Sequence, residues 1–152
     1  MIFWDLYSRF PMKLIAALRN TPQDSRHHPE GNVFEHTKQV FELASLTGDK
    51  ELEMAALFHD LGKIECTFLK DNTKIVAYGH ELKAKEYIEK YKILFEDLDI
   101  DWKKVAYICR YHMLAHRLDE MRAFKVEALK ASPYFEDLMR FAKCDNEGRK
   151  PR

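Results

Sequence analysis

Cysteine is scarce: Cys66, Cys109 and Cys144 are the only three in 152 residues, an odd number without paired spacing. That excludes a disulfide framework and a Cys-x-x-Cys zinc site, and it points to a reducing, cytoplasmic setting. Glycine and proline are also sparse, five of each, which excludes collagen-like and linker-like sequence. Neither sign of charge dominates, because 25 basic residues meet 25 acidic ones. No overall electrostatic drive therefore leads to nucleic acid or to an anionic membrane. Long hydrophobic runs are missing too. Asp5, Arg9 and Lys13 interrupt the apolar N-terminal residues and leave Leu14 to Leu18 too short for a signal sequence or a membrane span. The expectation is a water-soluble chain with no membrane partner.

What is present suits one folded domain over residues 1–152. Hydrophobic residues make up 46% and charged residues 33%, outside the range of disordered chains. Apolar residues from Ile2 to Leu18 keep helical spacing, with Pro11 as a kink, and Asn20 to Gly31 has the composition of an irregular connection. Asn32 is a good N-cap for a helix running to Gly48. Asp49 opens a second helix, apolar nearly all round, that carries His59 and Asp60 and ends at Gly62. Two β-forming stretches flank Asp71-Asn72 and predict a small hairpin near residues 67–78. Helical patterns follow over Glu81 to Phe95 and Trp102 to His116, and Ser132-Pro133 starts a last helix ending near Asp145. The fold class is all-α, a helical bundle with one small hairpin. Residues 150–152 read as a frayed tail.

Histidine carries the chemical signal. Five of the seven, His36, His59, His80, His112 and His116, fall in segments otherwise patterned for burial, and a buried imidazole needs a hydrogen-bond partner or a metal. Neighbours on a helix project about 100° apart, so His59 and Asp60 reach one metal only near a helix end or with long-side ligation. As a dipeptide alone they read more readily as a helix C-terminal cap. Their context is more specific: His36 lies on the preceding helix and Asp145 at the end of the last one. A helical bundle can bring such ligands together, and nitrogen with oxygen donors suits a divalent transition metal.

The motifs His28-Pro29-Glu30-Gly31, Val33-Phe34-Glu35-His36-Thr37, His59-Asp60-Leu61-Gly62-Lys63, Gly79-His80-Glu81, Tyr111-His112 and Cys144-Asp145 through Gly148-Arg149 follow one another in order. In this the chain resembles the HD-domain metal-dependent phosphohydrolases over about residues 26–149. Within them it is similar to the HD domain at the C-terminal end of bacterial CCA-adding tRNA nucleotidyltransferases. The resemblance implies His36, His59, Asp60 and Asp145 as ligands of a principal metal, which could be Mn, Ni, Co, Fe, Mg or Zn. It implies His80 and His112 as ligands of a second metal or as contacts to the substrate phosphate, and Lys63 and Arg149 as basic residues beside the site. In the mechanism it implies, water on the metal attacks phosphorus and Asp60 bridges or acts as base. Two departures stand out. There is no room for a nucleotidyltransferase head, so the HD module alone is expected, without CCA addition. The approach to His80, Ile75 to Gly79, lacks a further histidine that relatives often carry.

Several residues keep two readings. Lys63 is a catalytic or phosphate-binding cation or simply a solvated lysine, and Arg149 is a phosphate ligand or a mobile tail. Glu30 either hydrogen-bonds a ligand histidine or shapes a turn. His28 lines the entrance to the site or, like His27, is an ordinary loop histidine. His116 shares a helix face with His112 and is assigned a supporting role. The lysines at 83, 85, 90, 92, 103 and 104, mixed with acidic residues, read as a solvated surface rather than a nucleic-acid face. The expected function is hydrolysis of a phosphomonoester or phosphodiester of a nucleotide, a phosphorylated small molecule or an RNA 3′ end. By resemblance the activity is 2′,3′-cyclic phosphodiesterase, 2′-nucleotidase or phosphatase. The alternatives are a 5′-nucleotidase or alarmone-type hydrolase, and a regulatory module that binds metal or nucleotide without turnover.

Overall fold

A computed structural model describes residues 12–151 of the chain. The part of the N-terminal helix expected over residues 2–11, Pro11 included, lies outside the described residues. Helix α1 (Met12–Ala17) runs into a 3-10 turn that buries Leu18. An irregular connection follows and closes with an antiparallel bridge between Pro22 and Asn32.

Asn32 caps α2 (Val33–Ser45) by accepting the Glu35 backbone N–H, as its short polar side chain predicts. Asp49 caps α3 (Lys50–Phe58) through Glu51 and Leu52. Every residue of α3 from Leu52 to Phe58 is buried, so α3 is the central rod its all-round apolar pattern predicts. It ends at Phe58 rather than Gly62. His59 is the C-cap, and tight turns return Leu61 N to Phe58 O and Lys63 N to Asp60 O. The short α4 (Lys63–Cys66) leads into β1 (Thr67–Lys70), which pairs antiparallel with β2 (Lys74–Ala77). At the hairpin turn Asp71 and Asn72 have φ of 52° and 54°, a region these two residue types tolerate better than most.

The helix expected over Glu81 to Phe95 is two helices, α5 (His80–Lys90) and α6 (Lys92–Asp97), broken at Tyr91. Tyr91 and Phe95 both pack on Phe58, with ring centroids 6.3 and 5.2 Å away, and tertiary packing overrides the continuous local pattern. Asp101 caps α7 (Trp102–Ala115). Helix α8 (Ala123–Lys130) was not expected, and α9 spans Phe135–Glu147. Helix α7 packs on α5, α3 and α9, and α2 packs on α3 and α9. Phe41, Phe58, Phe95 and Phe141 are fully buried between them, each contributing roughly 1.5–3 kcal/mol. Lys150, read as tail, exchanges two hydrogen bonds with Gln39 on α2. Among the described residues, no helix is long and apolar enough to cross a membrane.

Candidate metal centre

Three histidines share one local device. His59, His80 and His112 each turn Nδ1 to the carbonyl three residues earlier: Ala56 at 2.8 Å, Ala77 at 2.8 Å and Cys109 at 2.6 Å. A carbonyl only accepts, so each Nδ1 donates and each Nε2 of the neutral ring presents a lone pair. His36 is held the same way, its Nδ1 lying 3.0 Å from both Gly148 O and Glu30 Oε1. An acceptor behind the ring is what fixes the tautomer of a metal-ligating histidine.

The four Nε2 atoms converge on two carboxylates. Asp60 Oδ2 lies 3.1 Å from His59 and 3.7 Å from His36, while Oδ1 lies 3.2 Å from His80 and 3.6 Å from His112. Asp145 Oδ1 lies 2.8 Å from His36 and 3.5 Å from His59. One carboxylate, Asp60, thus joins two donor groups, His36-His59-Asp60 and Asp60-His80-His112. The ligand atoms within each group lie within 4.8 Å of one another. None of these six residues is more than 3% exposed. Because α3 is buried all round, its C-terminal end delivers His59 and Asp60 to the middle of the bundle. Helices α2, α5, α7 and α9 supply the rest.

Hydrogen bonds within the protein do not complete this cluster. Among the described residues His59 Nε2 is buried without a hydrogen-bond partner, although Asp60 Oδ2 lies 3.1 Å away. His80 Nε2 and His112 Nε2 face each other at 3.2 Å, two acceptors that repel unless a proton or a cation lies between them. A divalent cation would satisfy both defects. The nitrogen and oxygen donors suit Mn, Fe, Co, Ni or Zn.

Charges inside the cluster are strongly coupled. Burial opposes a charge on His59, but Asp60 and Asp145 outweigh it and raise the group to about 10. His36 is also raised, burial being outweighed by Asp145 and Glu30. Burial works against charge on Asp60 as well, yet His59 and Lys63 hold its carboxyl well below the usual range. Asp145 is held down similarly by His116, His36 and His59. On His112 burial prevails and lowers the group. Protons and a cation therefore compete for the same nitrogens.

The cluster opens on a cleft of about 840 Å³. His28, His36, Asp60, Lys63, His80, His112, Asp145 and Arg149 all line it, and His59 sits behind them. Lys63 is not a free surface lysine: its Nζ donates to Gln23 Oε1 at 2.8 Å and lies 3.3 Å from Asp60 Oδ2. Arg149 Nε is buried without a hydrogen-bond partner among the described residues. His116 Nε2 donates to Asp145 Oδ2 at 2.8 Å, behind a carboxylate rather than beside the four nitrogens. Gln23 escaped the sequence reading because a glutamine in a polar loop carries no distinguishing pattern. Lysines 83, 85 and 104 form ion pairs with Glu65, Glu86, Glu89, Asp49 and Asp137, as a mixed-charge surface predicts.

Glu30 is fully buried, and its Oε1 lies 2.8 Å from His28 Nδ1 as well as 3.0 Å from His36 Nδ1. Burial disfavours its charge, but hydrogen bonds from His28 and His36 hold the carboxyl down to about 2. This carboxylate orients the His36 ring, a role that outweighs the turn reading. Glu30→Gln keeps the shape and removes the charge, and it should weaken Mn²⁺ or Ni²⁺ binding roughly 10- to 100-fold. A titration of both proteins with each metal checks this; unchanged affinity would make Glu30 a turn residue only.

Residues 33–146 match the HD domain family. The chain is 30% identical over 146 residues to the multifunctional CCA protein of Nitrosococcus oceani, covering 89% of this chain and 34% of that protein. It is 30% identical over 151 residues to that of Mannheimia succiniciproducens (89% and 35%) and 33% identical over 109 residues to that of Methylococcus capsulatus (71% and 25%). The chain spans about a third of the length of the first two.

Proposed function

The chain belongs to the HD domain family of metal-dependent phosphohydrolases, and from that membership we propose that it hydrolyses a phosphoester of a nucleotide or of an RNA 3′ end. The observation that carries this reading is the convergence of four imidazole Nε2 atoms on Asp60 and Asp145 at the wall of a cleft that also holds Lys63 and Arg149. His36, His59, Asp60 and Asp145 would hold the principal cation, and Asp60 with His80 and His112 a second. When bound, such a cation supplies polarisation of a phosphoryl oxygen and a nucleophile from water near neutral pH. Lys63 and Arg149 offset charge on the phosphate, and Arg149 Nε, partnerless among the described residues, has a donor to give. Gln23 fixes the lysine head at the cleft. His28 narrows the approach.

By likeness to the multifunctional CCA proteins, the favoured reactions are 2′,3′-cyclic phosphodiester opening, 2′-nucleotide hydrolysis and phosphatase action. A cytoplasmic setting agrees with the three unpaired cysteines. Metal analysis of the purified protein, then assays of cyclic nucleotides, nucleoside 2′-, 3′- and 5′-monophosphates and a generic phosphatase substrate with Mn, Ni, Co and Mg, tests the proposal. Turnover that chelation removes is expected. Bound metal with no turnover of any phosphoester would overturn it and leave a binding module.

Metal binding should tighten with pH. His59 and His36 carry raised values in the protein alone, so at neutral pH a cation displaces their protons. One proton released per cation makes affinity rise about tenfold per pH unit. Titrations with Mn²⁺ at pH 6, 7 and 8 should show that slope or a steeper one. A flat profile would mean the two rings are already neutral.

A further inference from the structure

A phosphate group alone needs far less room than a cleft of about 840 Å³ provides, so the shape of the remainder bears on what else the ligand carries. One part of the lining is ionic, with Lys63, Arg149 and the histidine-carboxylate cluster. Strand β2 and the residue after it line another part with Ile75, Val76, Ala77 and Tyr78. The cleft is therefore suited to a molecule with an anionic group and a flat or apolar body.

Tyr78 is the feature that singles out the body. Tyr78 is 61% exposed while lining the cleft, which leaves aromatic surface open to a ligand there. Its position is fixed from the neighbouring strand: the Phe68 ring packs against it at 5.7 Å and 69°, and Lys70 Nζ donates to its hydroxyl at 2.9 Å. Ring and cluster are also joined by the backbone. Ala77 O, just before Tyr78, holds His80 Nδ1, and Gly79, with φ of 78°, makes the turn between them. An aromatic ring held this way at the cleft, two residues from a histidine of the cluster, has its conformational entropy already restricted, as a stacking platform requires.

We propose that Tyr78 stacks on the base of the nucleotide whose phosphate lies at the histidine-carboxylate cluster, and so selects nucleotides over phosphoesters without a base. This rests on the phosphohydrolase reading of that cluster. Stacking of one base on one aromatic ring changes affinity by roughly five- to a hundredfold. The base can belong to a free nucleotide or to the last residue of an RNA, and the ring presents the same face to each.

The test compares adenosine 2′-phosphate with glycerol 2-phosphate on the Mn²⁺-loaded protein, measuring both kcat/KM and Kd, and the readout is the ratio between the two compounds. The expected result is that Tyr78→Leu, which keeps apolar bulk against Phe68, lowers that ratio about tenfold or more through KM and Kd. Tyr78→Phe, which loses only the contact with Lys70, and Tyr78→Trp should keep the ratio. A ratio unchanged in Tyr78→Leu overturns the proposal, as does failure of adenosine 2′-phosphate to bind the wild-type protein. Hydrolysis of both compounds with no preference for the nucleotide sinks base stacking and leaves the hydrolase reading intact. Preferential binding of the nucleotide that Tyr78→Leu removes, without turnover of either compound, upholds the stacking and sinks the hydrolase. A trinucleotide ending in a 2′-phosphate, run beside the mononucleotide, separates the two sources of the base.

Discussion

Asp60→Asn is expected to lower phosphoester turnover by about a thousandfold or more and to strip the protein of bound metal, with the helical fold intact. Asp60 is shared by both donor groups, Oδ2 toward His59 and His36 and Oδ1 toward His80 and His112. Loss of a single preorganised electrostatic partner at a reacting centre commonly costs about 10²–10³ in rate, and here the same change takes the negative charge from both groups and turns one of the two carboxylate oxygens into an amide nitrogen that cannot ligate. The helices do not depend on this charge. They are held by the apolar core around Phe41, Phe58, Phe95 and Phe141, so circular dichroism should be nearly unchanged.

Stability needs its sign worked out. The Asp60 carboxyl is held well below its ordinary value, although burial alone would raise it, because His59 and Lys63 favour the charged form. A depressed folded-state value stabilises the protein above the unfolded carboxylate pKa, and that contribution is lost as pH falls through the folded one. At pH 7 the variant therefore lacks it. The loss should stay below the roughly 3–5 kcal/mol of a broken buried ion pair, because the histidines can shed their protons once the anion is gone. Added Mn²⁺ should raise the wild-type Tm and leave that of the variant unmoved. A variant with wild-type metal content and turnover would overturn the assignment of Asp60.

The elements that carry the donor groups were legible because their signals are local. Asn32 and Asp49 declare helix starts through cap chemistry, and α3 declares its burial through apolar residues on every side. The convergence of His36 with Asp145 is not local, since 109 residues separate them. Only the ordered motif set pointed to it. Helix α8 went unread because burial reaches only Leu129 within it, leaving no apolar stripe for periodicity to find. The break at Tyr91 was invisible for the opposite reason, an unbroken helical pattern that packing on Phe58 overrides. Glu30 could be narrowed to two roles but not assigned, because its partner His36 approaches from another element. The histidine device, Nδ1 to the carbonyl three residues back, depends on rotamers that no spacing encodes.

Gly62 shows how a sequence signal can be right for a different physical reason. A glycine after His59-Asp60-Leu61 suggests a helix terminus, where glycine commonly adopts positive φ. Here its φ is −61°, open to any residue. What requires glycine is space: a Cβ at this position would lie 2.2 Å from the His80 carbonyl oxygen, 2.9 Å from its carbonyl carbon and 2.8 Å from Lys83 Cβ. The start of α5 rests directly on the turn that holds Asp60. Two of the three obstacles are backbone, so rotamer changes cannot relieve them and α5 must move away from α4. Gly62→Ala is therefore expected to cost about 3 kcal/mol or more, the upper end of overpacking penalties. The displacement should act unevenly on the cluster. His80 moves with α5 and loses its 3.2 Å approach to Asp60 Oδ1, whereas His36, His59 and Asp145 sit on α2, beside α3 and on α9 and keep theirs. Chemical denaturation should show the lower stability, and metal titration should show loss of the Asp60-His80-His112 site while the other still binds. If Gly62→Ala unfolds at the wild-type midpoint, the close packing of α5 on this turn is wrong, and with it the account of how His80 is positioned.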